Sequence, residues 1–340
     1  MYKRVNNLPW MARCVYFISF FAITALSDLV IRPSDHVLSG ADYDISMRRV
    51  VDSSDPPTLG PIHYIHHVVN PTDIEADPGY TTDFWGSVNF SPVPAFNIDT
   101  HDPVTQDVLV SESVHAKKAP WDLYVWDRLV SILRGVDHRH MPVMVDVGAN
   151  LGYFSLAAAS LGARVIAFEP MSRNARKFSK SILNNGFQNR VLLFQNLAWA
   201  DVPSVPMRLD NVGQTYDIAR QGVYGLDYVN TLSLSHVVRE AVDILKINTG
   251  VGSEGVVIAG AKRLICNFSV RYIIMEFTDV KTKTGVDLYS VTDMLRFLDS
   301  VGYEISDVTQ DAPPLSISEY KRFPPSVLFS LKGVQPTCVE

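Results

Sequence analysis

Asp146-Val147-Gly148-Ala149-Asn150-Leu151-Gly152 stands where the apolar run Val143-Met144-Val145 gives way to a helical pattern. A strand that ends in a glycine turn before a helix is where open α/β sheets take nucleotides and related ligands. Gly148 and Gly152 let the main chain come close to such a ligand. Seventeen residues beyond Gly152, a second apolar run closes on Phe168-Glu169-Pro170. A carboxylate there can accept hydrogen bonds from both hydroxyls of a ribose. Turn and acid together describe an adenosine site. The G-x-G-x-x-G pattern of a pyrophosphate cradle is not met, because Asn150 takes the place of its second glycine. No G-x-x-x-x-G-K-[ST] loop occurs, so hydrolysis of a nucleoside triphosphate has no support. S-adenosylmethionine, which has the adenosine and no phosphate, fits better.

These residues need a sheet to hold them, and the pattern after Trp121 supplies one. Trp121, Val125, Leu129 and Leu133 recur at helical spacing, and strands then alternate with helices. Strands are predicted near 143–148, 164–169, 191–197, 243–248, 272–277, 302–308 and 326–332, and helices near 151–161, 173–185, 253–265 and 290–300. The alternation predicts an α/β fold, a doubly wound Rossmann-like sheet of about seven mostly parallel strands. Ser172 is expected to cap the helix that starts at Arg173, and Gly186 to follow its end. Arg173, Arg176, Lys177 and Lys180 are read as that helix's solvated face.

The run Val145 to Ser155, followed by Val165-Ile166-Ala167-Phe168-Glu169-Pro170, resembles the FkbM-type methyltransferase family. Asn196-Leu197-Ala198, Asn211-Val212-Gly213, Thr231-Leu232, Asp243 to Ile247, Gly260-Ala261 and Met275-Glu276-Phe277 are similar to that family's later blocks, in order, over about residues 120–308. The resemblance implies a class I S-adenosylmethionine-dependent methyltransferase that transfers a methyl group to a hydroxyl oxygen of a sugar, polyketide or similar small acceptor. It also implies that Asp146 and Gly148 shape the methionine end of the site, Asn150 and Gly152 the turn, Glu169 the ribose contact and Asn196 the adenine edge.

One block departs from the family. Where its pattern reads Lys-Ile-Asp-Val-Glu-Gly-x-Glu, this chain has Lys246-Ile247-Asn248-Thr249-Gly250-Val251-Gly252-Ser253-Glu254. Asn248 and Gly250 replace two carboxylates, and an inserted residue lets Glu254 align with the last glutamate. That strand end faces the transferred methyl group, so Asn248 is a candidate catalytic position that has lost a proton acceptor. Glu276 and His236 are the candidate substitutes. Two other readings follow: a catalytically silent relative that keeps the cofactor fold, and a nicotinamide-dependent oxidoreductase, which Asn150 disfavours.

Composition bounds the rest. The 340 residues are 47% hydrophobic and 19% charged, a globular balance, and the formal charge of −6 leaves no global field to attract phosphate backbones. The expected partner is a small-molecule or glycan acceptor and not nucleic acid; the oligomeric state is not readable. Lys3, Arg4 and Arg13 precede thirteen residues without formal charge, Cys14 to Leu26. This is the pattern of a signal peptide or signal-anchor over 1–31, with residues 14–31 as a membrane tether. It implies a secretory-pathway protein, its domain in the lumen of the Golgi or endoplasmic reticulum or secreted. Residues 32–120 hold ten of the chain's twenty prolines and read as an irregular, Pro-rich stem or lead-in, with Trp85 and Phe90 docking it onto a methyltransferase domain at 121–340. His63, His66 and His67 lie in that stretch without an acid or cysteine to complete a metal site, and no metal is expected. Cys266 and Cys338 allow one disulfide.

Overall fold

The computed structural model describes residues 83–104, 110–137, 139–200, 204–208, 217–218, 227–249, 253–277, 291–309, 312–333 and 338. The apolar run at 14–26, the histidines at 63–67 and the substituted Gly250 lie outside the described residues.

Seven short apolar runs form the main sheet: β3 (Val143–Val147), β4 (Arg164–Phe168), β5 (Val191–Phe194), β10 (Val242–Ile247), β11 (Val270–Glu276), β12 (Tyr303–Asp307) and β13 (Ser326–Leu331). Their order is β12-β13-β11-β10-β3-β4-β5. Neighbours are parallel except β13, which runs antiparallel between β11 and β12. The order reverses between β3 and β10, the switch point that leaves a crevice at the carboxyl ends of a doubly wound sheet.

Period-two alternation sends Val143, Val145 and Val147 to one face of the sheet and Met144 and Asp146 to the other. The Val145 face is covered by α5 (Glu254–Gly260), α6 (Lys262–Phe268) and α7 (Val291–Ser300). The Met144 face is covered by α1 (Leu123–Gly135), α2 (Tyr153–Ser160) and α3 (Ser172–Asn184). Helix α2 is mostly apolar and buried from Tyr153 to Ala159, with Ala157, Ala158 and Ala159 small enough to bring it close to the sheet. The helix expected over 253–265 is two, joined at Ala261. Gly260 sits there because a β-carbon would meet the Trp199 carbonyl oxygen at 2.1 Å.

Three expectations about flanking elements need correction. The Pro-rich lead-in is not irregular over its described part: β1 (Phe84–Val88) and β2 (Phe96–Thr100) pair as an antiparallel hairpin, and Val110–Glu112 is a helical turn that continues as a π-helix over Ser113–Lys117. Phe96 and Ile98 are buried in the same core as α1 to α3, and Phe90 meets Trp126 edge-on at 6.0 Å, whereas Trp85 stays 42% exposed. Ser172 is the first residue of α3 and not its cap; Met171 holds the cap position without a side-chain bond. Lys177 belongs to no solvated face: it is 7% exposed and its Nζ lies 3.0 Å from the buried Asp99 Oδ1 on β2. A helix pattern read alone assigns lysine to water, and only the hairpin supplies its buried partner.

A smaller sheet, β6 (Leu197–Ala198), β9 (Asp227–Leu232), β7 (Ser204–Arg208) and β8 (Asp217–Ile218) in that order, follows β5. Its chain returns to β10 through α4 (Leu234–Val237). Cys266 on α6 and Cys338 form a disulfide across 72 residues. No helix among the described residues is long and apolar enough to cross a membrane.

Candidate functional site

The turn after β3 is held against the end of β4. Gly148 and Ala149 both donate to the Phe168 carbonyl at 3.0 Å, and Gly148 and Gly152 have φ of +73° and +82°. Gly148 tolerates no side chain, since a β-carbon would lie 1.8 Å from the Asn248 carbonyl oxygen. Asn150 takes φ +54°, a region asparagine enters more readily than most residues. Its N–H donates to Glu169 Oε2 at 2.8 Å, while Met171 N–H and Asn174 Nδ2 donate to Oε1 at 3.0 and 3.4 Å. Glu169 is fully buried under these donors. A ribose can reach this acid only if the 148–152 turn shifts off it.

Across the switch point Asp146 and Lys246 are register partners on adjacent strands. Lys246 Nζ lies 2.9 Å from Asp146 Oδ1, and Ser155 on α2 donates to Oδ2 at 2.7 Å. The ammonium also lies 5.2 Å from the centre of the Phe154 ring. Both charges are buried, so each depends on the other.

Beside this pair, at the ends of β10 and β11, is a small open cavity. Asn248, Glu276, Lys246 and Asp122 bring polar groups to it, and Trp121 and Phe154 supply aromatic walls. Burial pushes the Asp122 carboxyl up, against the pull of the Val125 N–H, of Lys246 and of Ser326. Next to Asn248, Thr249 Oγ1 donates to Glu254 Oε1 at 2.6 Å. Glu254 Oε2 has no hydrogen-bond partner among the described residues, and burial raises this carboxyl to about 7, helped by the nearby charge of Glu276.

Residues 146–305 match the family model described as Methyltransferase FkbM domain. The match spans just under half of the chain and marks that segment as FkbM-like. Similar solved structures include an rRNA methylase from Streptococcus thermophilus, at 15% identity over 61% of this chain and 93% of that one with a TM-score of 0.35. A precorrin-6y C5,15-methyltransferase from Geobacter metallireducens GS-15 is 16% identical over 63% and 89%, TM-score 0.33. A SAM-dependent methyltransferase from Agrobacterium tumefaciens is 8% identical over 75% and 72%, TM-score 0.41. No curated protein matches the chain.

The matched segment gathers the residues singled out in the sequence along one edge of its sheet. Asp146, Gly148, Asn150, Gly152 and Glu169 surround the first turn; Asn248 and Glu276 line the cavity; Asn196, buried between β5 and β6, reaches the Asn230 carbonyl at 3.4 Å. His236, on α4, does not line that cavity. Among the described residues no group of three or more His, Cys, Asp or Glu could hold a metal ion.

Four contributors escaped the sequence reading. Lys246 stands within a family-like block, and its pairing with Asp146 is not legible there; a lysine in an otherwise apolar strand is the signal, since such a charge needs a buried partner. Asp122 follows the Trp121 of the first predicted helix, where an N-cap acid is expected, and its position over the cavity left no trace in the pattern. Ser155 and Asn174 look like ordinary helical polar residues until packing buries them.

Proposed function

We propose that this FkbM domain binds S-adenosylmethionine and transfers its methyl group to a hydroxyl oxygen of a sugar or other small polar acceptor. The observation that carries the reading is the Glu169 carboxylate at the end of β4, oriented by Asn150 and Met171 beside a turn that only glycine can make at 148. An acceptor-only group oriented by main-chain donors suits a ribose diol, and the Asn150 turn suits a ligand without pyrophosphate. Asn196 is assigned to the adenine side, and Asp146 with Gly148 to the methionine side.

Bound S-adenosylmethionine supplies an electrophilic methyl group. The chain's part is to align an acceptor oxygen and remove its proton. Trp121 and Phe154 wall the cavity against water, and Asn248 can hold the acceptor hydroxyl through its amide. Glu276 and Asp122 are the carboxylates that face the cavity, and either can accept the hydroxyl proton. A second reading, a silent relative that binds the cofactor without transfer, is favoured by Asn248 in place of the family's aspartate.

The same proposal puts the domain in the lumen of the secretory pathway or outside the cell, with 14–31 as tether or cleaved signal. The apolar run behind Lys3, Arg4 and Arg13 supports it, as does the Cys266–Cys338 disulfide, which persists in oxidising compartments. Alkylation of the unreduced protein should find neither cysteine free.

Calorimetric titration with S-adenosylhomocysteine tests the main proposal. Micromolar binding abolished by Glu169→Ala is expected; no binding by the wild-type protein would end it. Labelled methyl transfer to an acceptor panel then separates enzyme from silent relative.

A further inference from the structure

We infer that the β1–β2 hairpin, which lies outside the matched segment 146–305, helps to present the cofactor acid: His101 donates to Asn174, and Asn174 donates to Glu169. The inference rests on the reading that Glu169 takes the ribose.

His101 follows β2 directly, and its Nε2 lies 2.7 Å from Asn174 Oδ1. Asn174 Nδ2 lies 3.4 Å from Glu169 Oε1. All three side chains are fully buried. An ionised carboxylate only accepts, so the amide nitrogen of Asn174 must face Glu169 and its oxygen must face the imidazole. The hydrogen of His101 is thereby fixed on Nε2. Each donor points one way along the series, from hairpin to acid, and in a buried site such bonds reinforce one another.

The hairpin is fastened to the helix that carries Asn174. Asp99 N–H donates to Ser181 Oγ at 2.8 Å, Lys177 pairs with Asp99, and Asn97 N–H donates to Asn185 Oδ1 at 2.8 Å. His101 therefore moves with α3 and can hold the Asn174 amide in one orientation. Without it, that amide is free to turn its oxygen toward Glu169, where acceptor would meet acceptor. His101 is a positioning residue; its effect reaches the ribose through two hydrogen bonds.

The test uses the full chain with His101→Leu, which removes the donor, and His101→Gln, whose amide nitrogen can replace Nε2. Affinity is measured for S-adenosylhomocysteine and for its 2′,3′-dideoxy analogue, and amide hydrogen exchange at Asn150 and Met171 is followed without ligand. His101→Leu should weaken S-adenosylhomocysteine about 5-fold, a loss the size of one neutral hydrogen bond, and leave the dideoxy analogue within 2-fold. It should also speed exchange at both amides, and His101→Gln should restore both readouts. Equal weakening of both ligands, or unchanged affinity with only a lowered melting temperature, would overturn the inference and leave His101 a packing residue. Wild-type protein that binds neither ligand overturns the proposed function, and unchanged exchange in His101→Leu then removes the positioning role as well.

Discussion

At the ends of β3 and β4 the carboxylates are ringed by donors: Asp146 by Lys246 and Ser155, Glu169 by Asn150, Met171 and Asn174. At the ends of β10 and β11 the picture differs. Glu254, at the start of α5 just beyond β10, keeps one oxygen without a hydrogen-bond partner among the described residues, its carboxyl is raised to about 7, and Asn248, an amide, follows β10. The first side has its donors in place before any ligand arrives, although the 148–152 turn must still shift to admit a ribose to Glu169. The second carries an electrostatic cost that folding tolerates. Preorganised groups suit a ligand that is always the same, and a cofactor is such a ligand. Buried acids left short of donors are a recurrent feature of places where chemistry is done, because that is how a carboxyl is tuned toward neutrality.

The sharpest way to break this contrast is to unpair the ordered side. Lys246→Met leaves Asp146 buried without its counter-charge, and urea unfolding should lose about 3–5 kcal/mol of stability. A loss below about 1 kcal/mol would mean that the pair is not the fixed centre of the crevice. Gly148→Ala comes next, at about 3 kcal/mol, because it combines a positive φ with a carbonyl 1.8 Å from the new methyl group.

On the other side the expected sign is reversed. Glu254 has a folded pKa of about 7 against an ordinary 4.5, so between those values the native state holds more protons than the unfolded chain. Stability is full below about pH 4.5 and falls as pH rises toward 7. Glu254→Gln removes that dependence, so it should stabilise the protein by about 2–3 kcal/mol at pH 8 and change little at pH 4. Paired melts at the two pH values decide it, and a variant less stable at both would show that the Glu254 charge is satisfied in the fold. The smallest effect is on turnover. Asn248→Asp should raise methyl transfer about tenfold, roughly 1.4 kcal/mol in barrier, with S-adenosylhomocysteine affinity unchanged within 2-fold. Higher affinity with no gain in rate would place residue 248 on the cofactor side of the crevice.

Much of this contrast could be read before any coordinates. Six of the seven strands of the main sheet fall within two residues of their expected bounds and β5 ends three residues early, because each is an apolar run closed by polar or glycine punctuation. The Asp146 to Gly152 turn and Glu169 were equally legible, since a turn after a strand and an acid at the next strand end are local in sequence. The hairpin over 84–100 was not. Its strands alternate weakly, and Phe96 and Ile98 count as core residues only once β2 packs against α3 and α2. Lys177 failed for the same reason, its partner Asp99 being 78 residues away.

The sequence by itself determined the α/β alternation, the glycine turn and the acid that follows it, because those depend on backbone conformations and periodicities that a few neighbouring residues impose. Tertiary structure alone decided which charges meet. Lys246 and Asp146 lie 100 residues apart and become neighbours only when β10 pairs with β3, and His101 comes within reach of the Glu169 support only when the hairpin docks on α3. Burial sets the worth of such contacts, and burial is a property of the packed sheet and its covering helices, which no local stretch of the chain contains.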